Sequence, residues 1–175
     1  LALNAQLDLL FVRKFGAPGH AELGIGAVVD GADPQLVLND AIVRELRPSP
    51  AYISAEMERE LAEIERRRQI YLQGAIPVGI MGRTVIVVDD GIATGGTVKA
   101  ALRGVRRARP ARLVLAVPVA PRDSIAELAG ECDEFICLAQ PEPFYAVGAH
   151  YVDFTQTEDG EVIELMTQSR RFGGP

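Results

Sequence analysis

The sequence predicts an α/β fold, a parallel sheet flanked by helices with a small flap over one end. Three observations predict it. From residue 84 onward, short β-branched runs alternate with amphipathic helical segments, the pattern of βαβ units and a buried parallel sheet. One aromatic-rich, irregular stretch, residues 141–157, interrupts that alternation and reads as a flap (about 140–157) on the core. The chain is 175 residues long, 48% hydrophobic and 24% charged, ordinary values for one globular core.

The formal charge of −6 and the pI near 5.0 argue against a non-specific nucleic-acid or anionic-membrane binder. Two cysteines and the lack of an apolar run near 18 residues exclude a disulfide scaffold and a spanning helix. A soluble, cytoplasmic, single domain over residues 1–175 is the expectation. The chain opens at Leu1 without an initiator Met and without the charged start of a leader, so further residues are expected before it.

In chain order, residues 7–12 form an apolar run that stops at Arg13 and Lys14 and is followed by a Gly/Pro-rich stretch, residues 15–20. A buried strand entering a loop is the simplest reading. Residues 25–29 and 35–38 flank a turn-forming segment and predict a hairpin. A short helix is expected over Asp40–Leu46, ending before Pro48 and Pro50. Over residues 54–72, Met57, Leu61, Ile64 and Tyr71 or Leu72 recur at helical spacing. Between them lie pairs such as Glu56/Arg59, Arg59/Glu63 and Glu63/Arg67. Arg66, Arg67 and Arg68 face an acidic partner on one reading and form a solvated, ion-paired face on the other. Then follow a strand over Thr84–Val88, a helix over 97–109, a strand over Arg112–Val119, a helix over 122–129, a strand over 134–138 and a closing helix over Asp159–Ser169.

The chemistry concentrates in VIVVDDGIATGGT, residues 85–97. An apolar strand ends in adjacent carboxylates, Asp89 and Asp90, and a small-residue loop leads into a helix. Strand C-terminal ends are where open α/β sheets bind ligands. The loop from Ala93 through Thr94, Gly95 and Gly96 to Thr97 can turn several backbone N–H groups inward, and the helix start that follows favours an anion. Two carboxylates beside a phosphate would repel it, so they are expected to take another part of the same ligand, and vicinal hydroxyls are strong donors to carboxylates. A phosphate cradle next to a diol acceptor describes a ribose 5-phosphate. The plainer reading is a strand-to-helix turn with the aspartates as caps. Other phosphate motifs fail: a Walker A loop needs Lys where Thr97 stands, and the stretch from Gly24 to Val29 lacks the third glycine of a dinucleotide fingerprint.

Residues 85–97 resemble the phosphoribosyl pyrophosphate (PRPP) motif of type I phosphoribosyltransferases. The whole chain is similar to a bacterial family of phosphoribosyltransferases of that fold, through VRKFGAPG at 12–19 and FYAVG at 144–148 to Asp153 and Phe154. The resemblance implies transfer of ribose 5-phosphate from PRPP to a small nucleobase-like nitrogen acceptor, with release of pyrophosphate. Asp89 and Asp90 would hold the ribose hydroxyls. Ala93, Thr94, Gly95, Gly96 and Thr97 would hold the 5-phosphate. Mg²⁺ would travel on the pyrophosphate, with no metal-ligand set of the protein's own. Arg13 and Lys14 match a basic pair that contacts pyrophosphate in relatives, and a solvated strand end is the competing reading. Phe144 and Tyr145 fall in the acceptor-binding flap, where stacking on a base and packing on the core both fit. No nucleic-acid or membrane partner is implied; homodimers are common in the family.

Three departures qualify the match. Relatives carry a strand and a pyrophosphate loop ahead of the point where this chain starts. Gly91 replaces an apolar residue, which is expected to loosen the turn. Ala93 replaces an Asp of the 6-oxopurine enzymes, which argues against hypoxanthine or guanine and is closer in wording to the adenine enzymes. The rival reading is a non-catalytic PRPP-binding sensor, or one module of a longer polypeptide.

Among the remaining candidates, His20 is a surface histidine or a pyrophosphate contact, and His150 is structural or exposed on the flap. Cys132 and Cys137 are expected as reduced thiols on opposite sides of a strand. Arg103, Arg106, Arg107 and Arg109 crowd a helix C-terminus, where they complement its dipole or, on the sharper reading, meet nucleic acid.

Overall fold

The structure is a computed structural model and describes residues 5–30 and 34–170, the side chains of residues 20–23 excepted. It contains two three-stranded sheets. The first is antiparallel, β1 (Val12–Ala17), β2 (His20–Val29) and β3 (Gln35–Leu38), in that order. The second is parallel, β4 (Thr84–Val88), β5 (Arg112–Val119) and β6 (Glu134–Ala139), with Thr84 aligned to Arg112 and Val114 to Glu134.

Helix α3 (Gly96–Arg107) is the layer between the sheets. Val98, Leu102 and Val105 recur at i, i+4 and i+7 and pack with Leu113, Leu115 and Val117 of the parallel sheet. Ala100 lies on the other side, clustered with Ala27 and Val29 of β2. Gly104 belongs to that second side: a Cβ there would stand 2.5 Å from Val29 Cγ1, so only glycine allows this approach of helix to strand. The far face of the antiparallel sheet is covered by α2 (Pro50–Leu72), through Phe15, Ile25, Val28 and Ile64. Helix α5 (Asp159–Ser169) lies against α2, with Tyr71 donating to Asp159 Oδ1 at 2.7 Å.

Most elements fall where the sequence places them; α1 (Asp40–Leu46) and β5 match to the residue. Asn39 caps α1, its side chain accepting from the amides of Ala41 and Ile42. Two expectations need correction. Residues 7–12 are not the first strand: β1 starts at Val12 and runs through the expected loop to Ala17. Phe15 is fully buried, and residues 18 and 19 make the turn back into β2. The Pro-Gly pair is a hairpin turn here, not the start of a longer loop. Helix α2 begins four residues early, because Ser49 caps it by accepting from Tyr52 N at 3.1 Å and Pro50 occupies the first helical position, where its missing N–H costs nothing. Within the parallel sheet, Leu113, Leu115 and Val117 face one core, and Val114 is buried on the opposite face. α3 and α4 (Arg122–Leu128) share one core. Two crossovers of the same hand, stepping the same way across a sheet, must lie on the same side of it. The other face carries exposed Ile86, Val88, Ile136 and Leu138.

Candidate functional site

Asp89 and Asp90 follow the last residue of β4 at its C-terminal end, and both are exposed. The loop after them is held by β5 and α4. Asp89 N donates to Ala116 O at 3.4 Å and Ile92 N to Val119 O at 3.0 Å, while the Ile92 side chain is buried in the core beneath. The next carbonyl, Ala93 O, accepts from the buried Ser124 hydroxyl at 2.8 Å. Ser124 belongs to the site's framework and carried no signal in the sequence, because the contact spans 31 residues.

Beyond Ala93 the loop opens. Thr94, Gly96 and Thr97 are exposed, and Gly95 adopts φ +74°, a left-handed conformation that turns the chain into α3. Among the described residues, no side chain caps α3. Its first amides have no intrahelical acceptor, and the helix dipole places positive charge at the same point. This geometry is chemically suited to an anion.

Crowding raises the pKa of the Asp89 carboxyl. Desolvation is the largest cause and the neighbouring Asp90 charge adds to it, while the Asp90 amide, donating to Asp89 Oδ1 at 2.9 Å, opposes them. Among the described residues no group of three or more His, Cys, Asp and Glu is assembled as a metal site.

The flap closes on the acidic turn. Residues 147–150 form a 3₁₀ turn, and the Tyr151 hydroxyl donates to Asp90 O at 2.5 Å. Gly91 is not a loosened point: a Cβ there would stand 2.6 Å from Val147 Cγ1 and 2.9 Å from Val119 Cγ1, so the missing side chain is the space in which the flap seats. Phe144 stacks on His150 with ring centroids 5.5 Å apart, while Tyr145 is 83% exposed. Neither Tyr151 nor Val147 stood out in the sequence; a tyrosine three residues past a glycine is too common a pattern.

Arg13 and Lys14 part company. Arg13 points to the α2 side and donates from Nε to Glu60 Oε2 at 2.8 Å; Glu60 is 2% exposed and also meets Arg59. Lys14 is exposed and pairs with Ala27, so its side chain leaves on the α3 side. Val29 lies against Gly104, and Ala27 and Val29 both cluster with Ala100 of α3. His20 begins β2, and its side chain lies outside the described residues.

Several other charged groups have partners. Arg103 pairs with Glu131 at 2.7 Å, Arg106 with Asp133 at 3.0 Å and Lys99 with Glu127 at 2.6 Å, which ties α3 to the α4–β6 segment. Arg66 and Arg67 both reach Glu63, and Arg68 reaches Asp30. Cys132 and Cys137 are free, and both border the same core rather than opposite faces. Cys132 precedes β6, so strand alternation does not apply to it. No helix of the described residues is long and apolar enough to cross a membrane.

Comparison with known proteins places the chain in a family. The family model described as "Phosphoribosyl transferase domain" matches residues 36–146. Two Mycobacterium tuberculosis proteins, from strains CDC 1551 and H37Rv and each named "Putative phosphoribosyl transferase", are 43% identical over 170 residues. The match covers 97% of this chain and 38% of each of theirs, so the chain spans well under half the length of these relatives. The crystal structure of TT1426 from Thermus thermophilus superposes with a TM-score of 0.80 at 36% identity, over 95% of this chain and 78% of that one. With its α/β architecture and its match across most of the sequence, the chain belongs to the phosphoribosyl transferase domain family.

Proposed function

We propose that this chain, acting as one domain with its flap, binds PRPP and transfers ribose 5-phosphate to a nitrogen of a nucleobase-like acceptor. The observation that carries the reading is the pairing of two exposed carboxylates with an uncapped helix N-terminus across one short loop. In this reading Asp89 and Asp90 accept from the ribose hydroxyls. The amides of residues 93–97, with the Thr94 and Thr97 hydroxyls, donate to the 5-phosphate. The acceptor nitrogen supplies an electron pair to the anomeric carbon as the bond to the pyrophosphate oxygen breaks, and that oxygen leaves with its pair. The ring carbon is cation-like in between, so catalysis is chiefly positioning and stabilisation of the leaving charge. Lys14, exposed on the α3 side of β1, is the cation this reading assigns to that charge. Phe144 and Tyr145 present aromatic surface to the acceptor.

Mg²⁺ fits the donors present. It binds through one or two carboxylates together with substrate phosphates, and Asp89 and Asp90 are such hard oxygen donors. On the pyrophosphate it would supply charge neutralisation as the bond breaks.

One observation favours the second reading, a PRPP sensor without transfer: Arg13 is committed to Glu60, which leaves one fewer cation for the leaving group. Calorimetric titration with PRPP, with and without Mg²⁺, tests the reading, followed by ribose 5-phosphate and by pyrophosphate release over a panel of bases. Mg²⁺-strengthened PRPP binding with release of pyrophosphate is the expected result. Binding without release for any base supports the sensor, and no binding of either ligand sinks both.

A further inference from the structure

Tyr151 joins the flap to the acidic turn at an atom that neither carboxylate uses. Its hydroxyl donates to the Asp90 carbonyl oxygen, which fixes the peptide plane between Asp90 and Gly91. The same plane is gripped from the apolar side by Val147, seated where a side chain on residue 91 would be. The hydroxyl does not hang on a free chain. The Tyr151 ring lies against Phe154 at 5.1 Å, and Phe154 fills the space beside Gly148, where a Cβ would stand 2.7 Å from Phe154 Cδ1. His150, the adjacent residue, stacks on Phe144. Contacts therefore run without a gap from the aromatic flap to the backbone that carries Asp90.

We propose that Tyr151 is a positioning residue that couples the flap to the ribose-holding turn. The inference rests on the reading of Asp89 and Asp90 as the PRPP site. A diol that engages the Asp90 carboxylate restrains its side chain and, through Cα, pulls on the backbone of the turn. The carbonyl of that residue is the acceptor for Tyr151, so any shift of the turn moves the end of the hydrogen bond. Through it the segment from Phe144 to Tyr151 is set relative to the anomeric carbon. Occupancy of the acidic turn thereby shapes the acceptor side of the site. A hydroxyl alone carries this coupling, because the packing of the ring on Phe154 does not depend on it.

The sequence contains no tryptophan, so a single indole reports on the flap without background. Val152 is exposed and adjoins Tyr151, and Val152→Trp places the reporter there. In that protein, Mg²⁺–PRPP is expected to change the indole emission in step with calorimetric binding. Adding Tyr151→Phe keeps the ring and removes the hydroxyl. It is expected to abolish the emission response and to weaken PRPP binding about five-fold, the size of one ordinary hydrogen bond. A tyrosine that only supports the fold would lower the melting temperature and leave the response intact. An emission response that survives Tyr151→Phe, or that never occurs in Val152→Trp while PRPP binds, overturns the proposal. Absence of calorimetric PRPP binding in the parent protein is a different failure, that of the functional reading, and is seen before Tyr151 is touched. Far-UV circular dichroism of both variants confirms that like is compared with like.

Discussion

The two sheets meet across one helix and are built to different ends. The antiparallel β1–β3 sheet is covered on both faces, by α2 through Phe15, Val28 and Ile64 and by α3 through Ala27 and Val29. The parallel β4–β6 sheet packs α3 and α4 on one face, and its strand ends open into the loop that carries Asp89, Asp90 and the start of α3. Every parallel crossover brings a helix N-terminus to a strand C-terminus, so charge complementarity for an anion arises there from the backbone alone. A hairpin sheet has no such end. It contributes by choosing which face a side chain takes, and it sends Arg13 to Glu60 and Lys14 toward α3. On the proposed reading one sheet carries the site, and the other is the wall beside it from which Lys14 projects on the α3 side.

The largest test of that division removes the site and spares the wall. Asp89→Asn with Asp90→Asn is expected to lower PRPP affinity by at least about 100-fold, since each hydrogen bond to a charged acceptor contributes roughly 1.5–3 kcal/mol. The melting temperature should stay within about 3 °C of the parent, because both carboxylates are exposed. Calorimetry and a thermal melt on the same sample decide it. Unchanged affinity removes the acidic pair from the site.

Gly104→Val attacks the join instead. The new side chain must occupy the position of Val29 Cγ1, and overpacking of this kind costs about 1–3 kcal/mol. Urea denaturation should show the loss. A variant as stable as the parent would mean that α3 and β2 are not in the close contact described.

Glu60→Gln separates the two halves of the basic pair. Glu60 is buried against Arg13 and Arg59, and the amide keeps its shape but not its charge. Stability is expected to fall by about 1–2 kcal/mol, less than for a fully buried pair because Arg13 is one-third exposed and reaches water. PRPP affinity should change little, since Arg13 serves the wall. A fall in affinity larger than the fall in stability would place Arg13 in the site after all.

What was legible in the sequence follows the same division. In β4–β6 each strand is a local apolar run and each helix a local period, so residues 84–128 could be read nearly to the residue; the proposed anion site rests on the local order of the loop glycines and threonines. In β1–β3 the decisive contacts are not local. Phe15 is buried by Ile64, far along the chain, and nothing within residues 7–20 says whether the apolar run before Arg13 or the stretch after it forms the strand. The same limit hid Ser124, Val147 and Tyr151, whose partners lie 31, 56 and 61 residues away. It also turned Gly91 from an expected weakness into a fitted space.

The smallest effect lies inside the site and has a definite sign. Folding places the Asp89 carboxyl where desolvation and the Asp90 charge raise its pKa above the ordinary 3.8. The native state then binds the proton more tightly than the unfolded chain, so stability falls as pH rises through the window that opens near 3.8 and ends at the raised native value. Below that window aspartate is neutral in both states and differs little from asparagine. Above it the charge is a net cost, which solvent at this exposed strand end keeps to about 0.5 kcal/mol or less. Asp89→Asn is thus expected to melt slightly higher than the parent at pH 7 and to lose that advantage at pH 3.5. PRPP affinity of the parent runs the other way and rises across the same window, because only the ionised carboxylate accepts from both hydroxyls of a diol. Melting curves of the two proteins that stay superimposed at every pH would show that Asp89 is as well solvated folded as unfolded. Opposed pH slopes for stability and affinity are the signature of a carboxylate kept charged for its ligand at the expense of the fold.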